Sequence, residues 1–227
     1  MKAYILKIDT PVSNEYASIC AESCRKVNLE YIVVNGFQNM SGRMAFRKIG
    51  IRTSVVEEYQ YIESPSPADK AMCCTAGHFA IWKAIADGPD EVGVILEHDA
   101  IMLHPITINI PDNEIVTLGY KLQDPSRYDS TSAGPPTELI KIAGHEGAHA
   151  YAMTKKTAQI LIDELIEKGV RSAVDNDYFI LNQRRTVVPL SIASPTPAMG
   201  WLRKSTIWTD SAARNYNFIP SFQRFYK

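Results

Sequence analysis

Val92-Gly93-Val94-Ile95-Leu96-Glu97-His98-Asp99 decides how the chain is read. Its first five residues form a continuous apolar run with no polar alternation. That describes a strand buried on both faces, of the kind found in the middle of a mainly parallel sheet. Two acids follow at once. In an extended chain alternate side chains share a face, so Glu97 and Asp99 are expected to point the same way. Open α/β sheets take their ligands at the carboxyl ends of their strands, where this pair falls. Two carboxylates there repel each other and lose hydration, and a cation removes both costs. Hard oxygen donors suit Mn²⁺ or Mg²⁺, either of which bridges readily to a diphosphate. Such an ion takes up negative charge as the diphosphate leaves. The plainer alternative is a solvated turn with two unrelated acids. Against it stands a second apolar run just after them, Ala100-Ile101-Met102-Leu103.

Upstream, Ala3 to Ile8 reads as a short buried strand broken by Asp9-Thr10-Pro11. Ser13 to about Val27 has helical character, with Ser13 as its cap. Tyr31 to Val34 reads as a second buried strand, ended by Asn35-Gly36. Strand, helix, strand in that order favours a parallel pair joined by a crossover. Residues 37–68 show no clear period and end in a Ser64-Pro65-Ser66-Pro67 loop. From Asp69 to Ala86 the residues Met72, Ala76, Phe79, Ala80 and Lys83 recur at helical spacing, and Gly88-Pro89 ends the helix. Downstream, Ile115 to Leu118 is a strand. Residues 123–137 form a long polar loop, of the sort that often serves as a lid. Leu139 to Ile142 and Ala148 to Met153 read as a strand pair. Thr157 to Lys168 is an amphipathic helix stopped by Gly169, and Asp175 to Leu181 reads as one more helix. The tail from Pro195 has no period.

The bulk properties set limits. At 227 residues the chain suits one domain. An apolar fraction of 45% and a charged fraction of 22% exclude a disordered tail or a fibrous repeat. The formal net charge of -1 gives no support for a nucleic-acid partner. No stretch approaches the ~20 apolar residues of a membrane span. Met1 to Asp9 is too short and too charged for a signal peptide, so a cytoplasmic enzyme is expected. Cys20, Cys24, Cys73 and Cys74 contain no C-x-x-C pair and suit reduced, buried thiols.

Four blocks, in order over about residues 3–185, resemble glycosyltransferase family 25, the lipopolysaccharide-type and collagen galactosyltransferases. Cys74-Thr75-Ala76-Gly77-His78-Phe79-Ala80-Ile81-Trp82 is similar to the family's C-x-x-S-H-x-x-x-W helix, with Gly77 in place of Ser. Val94-Ile95-Leu96-Glu97-His98-Asp99-Ala100 resembles its I-L-E-D-D-V block, with His98 for the middle Asp. Gly147-Ala148-His149-Ala150-Tyr151-Ala152-Met153-Thr154 resembles its G-x-x-A-Y-x-x-S strand, and Val174-Asp175 its late V-D element. The resemblance implies an α/β fold, a single GT-A-like, Rossmann-like nucleotide-sugar-binding domain over residues 1–227 with a mainly parallel central sheet. It also implies a nucleoside-diphosphate sugar donor, a UDP-sugar first, and a divalent ion. Glu97 and Asp99 match the family's acidic metal motif and Asp175 its late Asp. Asp9, Asn35, His78, Glu97 and His98 are the candidate cofactor-binding residues. The chain departs from the family at Leu6-Lys7-Ile8-Asp9-Thr10, which lacks the Asn and Arg of I-N-L-D-R. It departs again at Lys70-Ala71, where a Gly-Glu pair is expected.

Transfer to a hydroxyl of a glycan, lipid-linked or protein acceptor needs a proton acceptor. Asp175 and Asp177, ahead of a helix, are the candidate catalytic bases. The alternative is a helix cap at Asp175 with Asp177 in the first turn. His78 either packs beside the site, binds the donor or is a core histidine, while Trp82 is core. His145-Glu146-Gly147-Ala148-His149 fits the zinc-peptidase pattern H-E-x-x-H, which requires a helix. Gly144 and Gly147 disfavour one, and on a loop and strand His145 or His149 would line the donor site instead. Arg184-Arg185, with Arg203 and Lys204, are either phosphate partners or solvated surface. Tyr120, Trp201 and Trp208 either stack on a sugar or base or anchor loops. A non-catalytic sugar-nucleotide or glycan-binding module on the same fold is the rival of a different class.

Overall fold

The computed structural model describes residues 1–51, 67–119, 138–142, 148–168, 174, 181–187 and 189–193. The chain opens with strand β1 (Lys2–Lys7), helix α1 (Pro11–Lys26) and strand β2 (Tyr31–Asn35). The two strands are parallel, with Ala3 opposite Tyr31 and Lys7 opposite Asn35. The cap of α1 is Thr10, whose hydroxyl accepts from the Ser13 N–H at 3.2 Å. Ser13, expected as the cap, lies inside the helix, and its hydroxyl accepts from the Ile8 N–H at 3.0 Å. Pro11 explains the shift, since proline is favoured in the first helical turn, where its missing N–H costs nothing. β2 is an edge strand and is half exposed rather than buried: Ile32 and Val33 retain 43% and 45% of their surface. A run of β-branched residues does not tell an edge strand from a central one.

Helix α2 (Gly42–Lys48) occupies the stretch without a legible period. Two turns are too few for one. It is placed by Ser41 as cap and by Asp69, whose carboxylate accepts from the Gly42 N–H at 2.9 Å. Helix α3 (Pro67–Asp87) and strand β3 (Val92–Glu97) follow as expected. Then come β4 (Ala100–Met102), β5 (Glu114–Thr117), β6 (Leu139–Lys141), β7 (Ala150–Thr154), α4 (Lys155–Lys168), β8 (Asn182–Thr186) and β9 (Ser191–Ala193).

The main sheet has the order β2-β1-β3-β7-β5-β8-β6. Five of these strands run one way; β7 and β6 run against them. The expected α/β class with a mainly parallel sheet therefore forms. The expected pairing of β6 with β7 does not. β7 is inserted between β3 and β5, and β6 lies at the far edge on β8. Burial explains the difference. Ala150 to Met153 are fully buried and need a sheet neighbour and a packed layer on every side, whereas β6 is half exposed.

Alternation sorts the strands onto two cores. Tyr4, Leu6, Ile95, Tyr151 and Met153 pack with α2, α3 and α4. Ala3, Ile5, Val94, Leu96, Ala150 and Ala152 pack with α1. Gly93 lies on the α3 side, where an added Cβ would fall 2.3 Å from Cδ1 and Cγ1 of the buried Ile85. Gly93→Ala is expected to cost about 1–3 kcal/mol by overpacking, read as a lower urea midpoint at unchanged slope. No helix among the described residues is long and apolar enough to cross a membrane.

Candidate functional site

The carboxyl edge of the sheet gathers the acids. Leu6 pairs with Glu97 and Lys7 with Asn35, so β1, β2 and β3 finish together. Asp9 and Asn35 are both exposed there. The Asp9 carbonyl accepts from the Gln38 side chain at 3.0 Å. Glu97 closes β3, but the extended chain stops with it: His98 and Asp99 form a turn before β4. The expectation that strand alternation aligns the two acids therefore holds only as far as Glu97. The turn instead sets Asp99 close enough to feel its charge. His98, the middle residue, sits edge-on to Tyr16 of α1 at 6.4 Å between ring centres. β4 is anchored by its pairing with β9 and by the Ser23 hydroxyl, which accepts from the Met102 N–H at 2.9 Å.

Glu97 continues the Ile95 side of β3 and meets α3. That helix presents Cys74, His78 and Trp82 at steps of four, hence on one face. Cys74 Sγ lies 3.8 Å and His78 Nε2 lies 3.5 Å from Glu97 Oε1. His78 is wholly buried, while Glu97 keeps 30% of its side chain exposed. The other ring nitrogen of His78 is 2.7 Å from the Tyr151 hydroxyl, which also accepts from Trp82 Nε1 at 2.9 Å. The rings of His78 and Tyr151 stack at 5.7 Å. With no exposed surface, His78 makes no direct contact with a bulky ligand such as a donor nucleotide.

β7 supplies the far wall. The Glu97 N–H donates to the His149 carbonyl at 2.8 Å. His149 is nearly buried, and Gly119 makes room for it: a Cβ there would lie 2.6 Å from His149 Nε2 and 2.3 Å from the Ser191 carbonyl oxygen.

Electrostatics separate the two acids. Burial pushes the Glu97 carboxyl up, but the pull of His78 and the charges of His98 and His149 outweigh it, leaving the group lowered. Asp99 is raised, by burial first and by the negative charge of Glu97 second. Its Oδ1 is buried and has no hydrogen-bond partner among the described residues. An orphaned carboxylate oxygen beside a second carboxylate fits a hard divalent cation, which Glu97 and Asp99 would hold.

The remaining candidates divide. Asp175, Asp177, His145 and Glu146 lie outside the described residues, as do Tyr120, Trp201, Trp208, Arg203, Lys204 and the loop 123–137. Val174, just before Asp175, is buried and helical. His149 stands in a bend that leads directly into β7, not in the helix that the peptidase pattern demands. Arg184 is on β8, with its Nε 2.6 Å from the Glu114 carboxylate, so its charge is already matched. Cys74 and Tyr151 were not singled out by the sequence reading. Their signal was the four-residue stripe from Cys74 through His78 to Trp82, and a strand tyrosine opposite it.

The neighbouring thiols differ. Cys73 is buried and its Sγ donates to the Met40 carbonyl at 3.4 Å. Burial, with the charge of Asp69, pushes its pKa up to about 11. Since the thiolate is the reactive form, mass spectrometry after iodoacetamide at pH 8 is expected to find Cys74 alkylated well before Cys73.

No protein-family model matches the chain, and no curated protein matches it. The structure is similar to that of the galactosyltransferase LgtC in complex with donor and acceptor sugar analogues, at 11% identity and a TM-score of 0.49, over 100% of this chain and 94% of that one. It is similar to the glycosyltransferase GlyE of Streptococcus pneumoniae TIGR4 at 8% identity and a TM-score of 0.48, over 99% of this chain and 60% of that one. A putative glucose-1-phosphate thymidylyltransferase from Bacillus anthracis follows at 12% identity and a TM-score of 0.42, over 98% and 99%. At these identities and scores the likenesses lend no weight to any one activity, which has to rest on the site.

Proposed function

We propose that the chain is a metal-dependent glycosyltransferase of the family-25 type, one GT-A-like domain over residues 1–227 that works in the cytoplasm. It moves a hexose from a nucleoside-diphosphate sugar, a UDP-sugar first, to a hydroxyl of a glycan, lipid-linked or protein acceptor. The observation that carries this reading is the buried Asp99 oxygen, without a hydrogen-bond partner among the described residues, beside Glu97 at the carboxyl end of a central strand. Mn²⁺ or Mg²⁺ bound there would supply charge compensation for a departing diphosphate. The chain's own part is positioning. His78, fixed by Tyr151, faces the Glu97 carboxylate, and the His149 carbonyl holds the Glu97 main chain. Asp9 and Asn35, on the same edge, meet the donor in this reading, and Asp175 or Asp177 accepts the acceptor's proton.

The test is a donor screen. Purified protein meets UDP-, GDP-, CMP- and TDP-sugars with Mn²⁺, and again with chelator. Release of one nucleotide only when metal is present supports the transferase and names its donor. Donor binding in a thermal-shift titration without turnover, with a panel of hydroxyl acceptors present, would replace it with a sugar-nucleotide-binding module. Neither turnover nor binding would sink the assignment.

A further inference from the structure

We infer that Cys74, His78 and Glu97 form a second kind of ion site, for a zinc-class transition metal. Their Sγ, ring nitrogen and carboxylate oxygen all lie within 4.8 Å of one another. Zinc bonds run about 2.3 Å to sulfur and about 2.0–2.2 Å to nitrogen or oxygen. Around such an ion a tetrahedron's edges run about 3.4 Å from nitrogen to oxygen and about 3.6 Å from sulfur to oxygen. The observed edges are 3.5 Å and 3.8 Å. Both edges from Glu97 thus already stand nearly where a tetrahedral ion needs them, and the third, from sulfur to nitrogen, is within 4.8 Å.

A second observation points the same way. His78 is fully buried, and its Nε2 has no hydrogen-bond partner among the described residues although it is aimed at Glu97. At 3.5 Å that approach is too long for a good N–H···O bond. The opposite nitrogen is held at 2.7 Å by the Tyr151 hydroxyl, which Trp82 fixes in turn. Metal-binding histidines are oriented in this way, through a hydrogen bond on the nitrogen that does not bind. With the Nδ1 proton donated to Tyr151, the Nε2 lone pair points at the ion. Cys74 binds as thiolate, releasing its proton to solvent.

The donor chemistry sets this site apart from the Glu97–Asp99 pair. Thiolate and imidazole favour zinc over manganese or magnesium, which prefer all-oxygen sites. Glu97 belongs to both sets, so a zinc ion would withdraw it from a hard cation. Cys74 and Glu97 are partly exposed, so water can complete the coordination. The inference does not need the sugar-transfer reading, because its test reads the metal and not the nucleotide.

The test titrates Zn²⁺, and then Co²⁺ as an optical probe, into the chelator-treated full chain by calorimetry and absorption. One zinc per chain is expected, and the cobalt form should show a thiolate-to-cobalt charge-transfer band in the near ultraviolet. Cys74→Ser should abolish that band and weaken zinc binding by at least about 100-fold, with circular dichroism unchanged. In the parent, zinc should protect Cys74 from iodoacetamide and leave Cys73 unaffected, which keeps the inference testable should the variant misfold. Absence of one-to-one binding, an unchanged band in the variant, or no protection of Cys74 would each overturn it.

Discussion

An Asp99→Ala protein is expected to release nucleotide from its donor at least about 10²-fold more slowly than the parent, since a bound divalent ion supplies several kcal/mol of charge stabilisation. The same change should not harm the fold. The Asp99 carboxyl is raised by burial and by the charge of Glu97, so the folded protein disfavours its ionised form. Removing it relieves that conflict, and the metal-free variant is expected to melt at or above the parent's temperature. A functional residue kept at a cost in stability gives this signature. The metal distinguishes the two proteins directly, because a ligand that binds only the folded state raises its melting temperature. Mn²⁺ should do so for the parent and not for the variant. Equal shifts in both would remove Asp99 from the ion.

Tyr151→Phe is the largest expected effect on stability. It removes one oxygen and orphans two buried donors or acceptors, His78 Nδ1 and Trp82 Nε1, both wholly inside the protein. Leaving a buried polar group unsatisfied costs about 1–3 kcal/mol, so the two together cost about 2–6 kcal/mol. Urea unfolding would measure it as a lower midpoint at unchanged slope. Activity should fall as well, by about 10- to 100-fold, the usual cost of losing an orienting partner behind a metal ligand. A Phe variant as stable as the parent would mean that His78 and Trp82 find other partners, and that Tyr151 positions nothing.

Much of the fold was legible in short runs. Val92 to Leu96 has no polar residue to interrupt it, and it became a central strand. The opening strand, helix and strand became a parallel crossover because each was bounded by Pro, Asn or Gly. What escaped was whatever depends on partners distant in sequence. Nothing in Leu139 to Ile142 says that β6 pairs with β8, nor in Ala148 to Met153 that β7 enters between β3 and β5. Two turns of α2 are held by Asp69, twenty-seven residues away from the Gly42 N–H it accepts. The site divides likewise. The acids stood out because charge is conspicuous after an apolar run. Tyr151 did not, because a tyrosine in a buried strand reads as packing until its hydroxyl is seen between a histidine and a tryptophan.

The insertion of β7 also sets an order of assembly. β1, β2 and β3 gather through a crossover and a parallel pairing within the first hundred residues. β7 joins β3 only after about fifty more have been made. On a growing chain the segment made later is the last to become available for pairing. Until β7 docks, Glu97 lacks the carbonyl that holds its main chain and His78 lacks Tyr151. A half-formed chain would therefore carry the acids of the site without the lock that orients them. Ion binding becomes a report that the two halves of the sheet have closed.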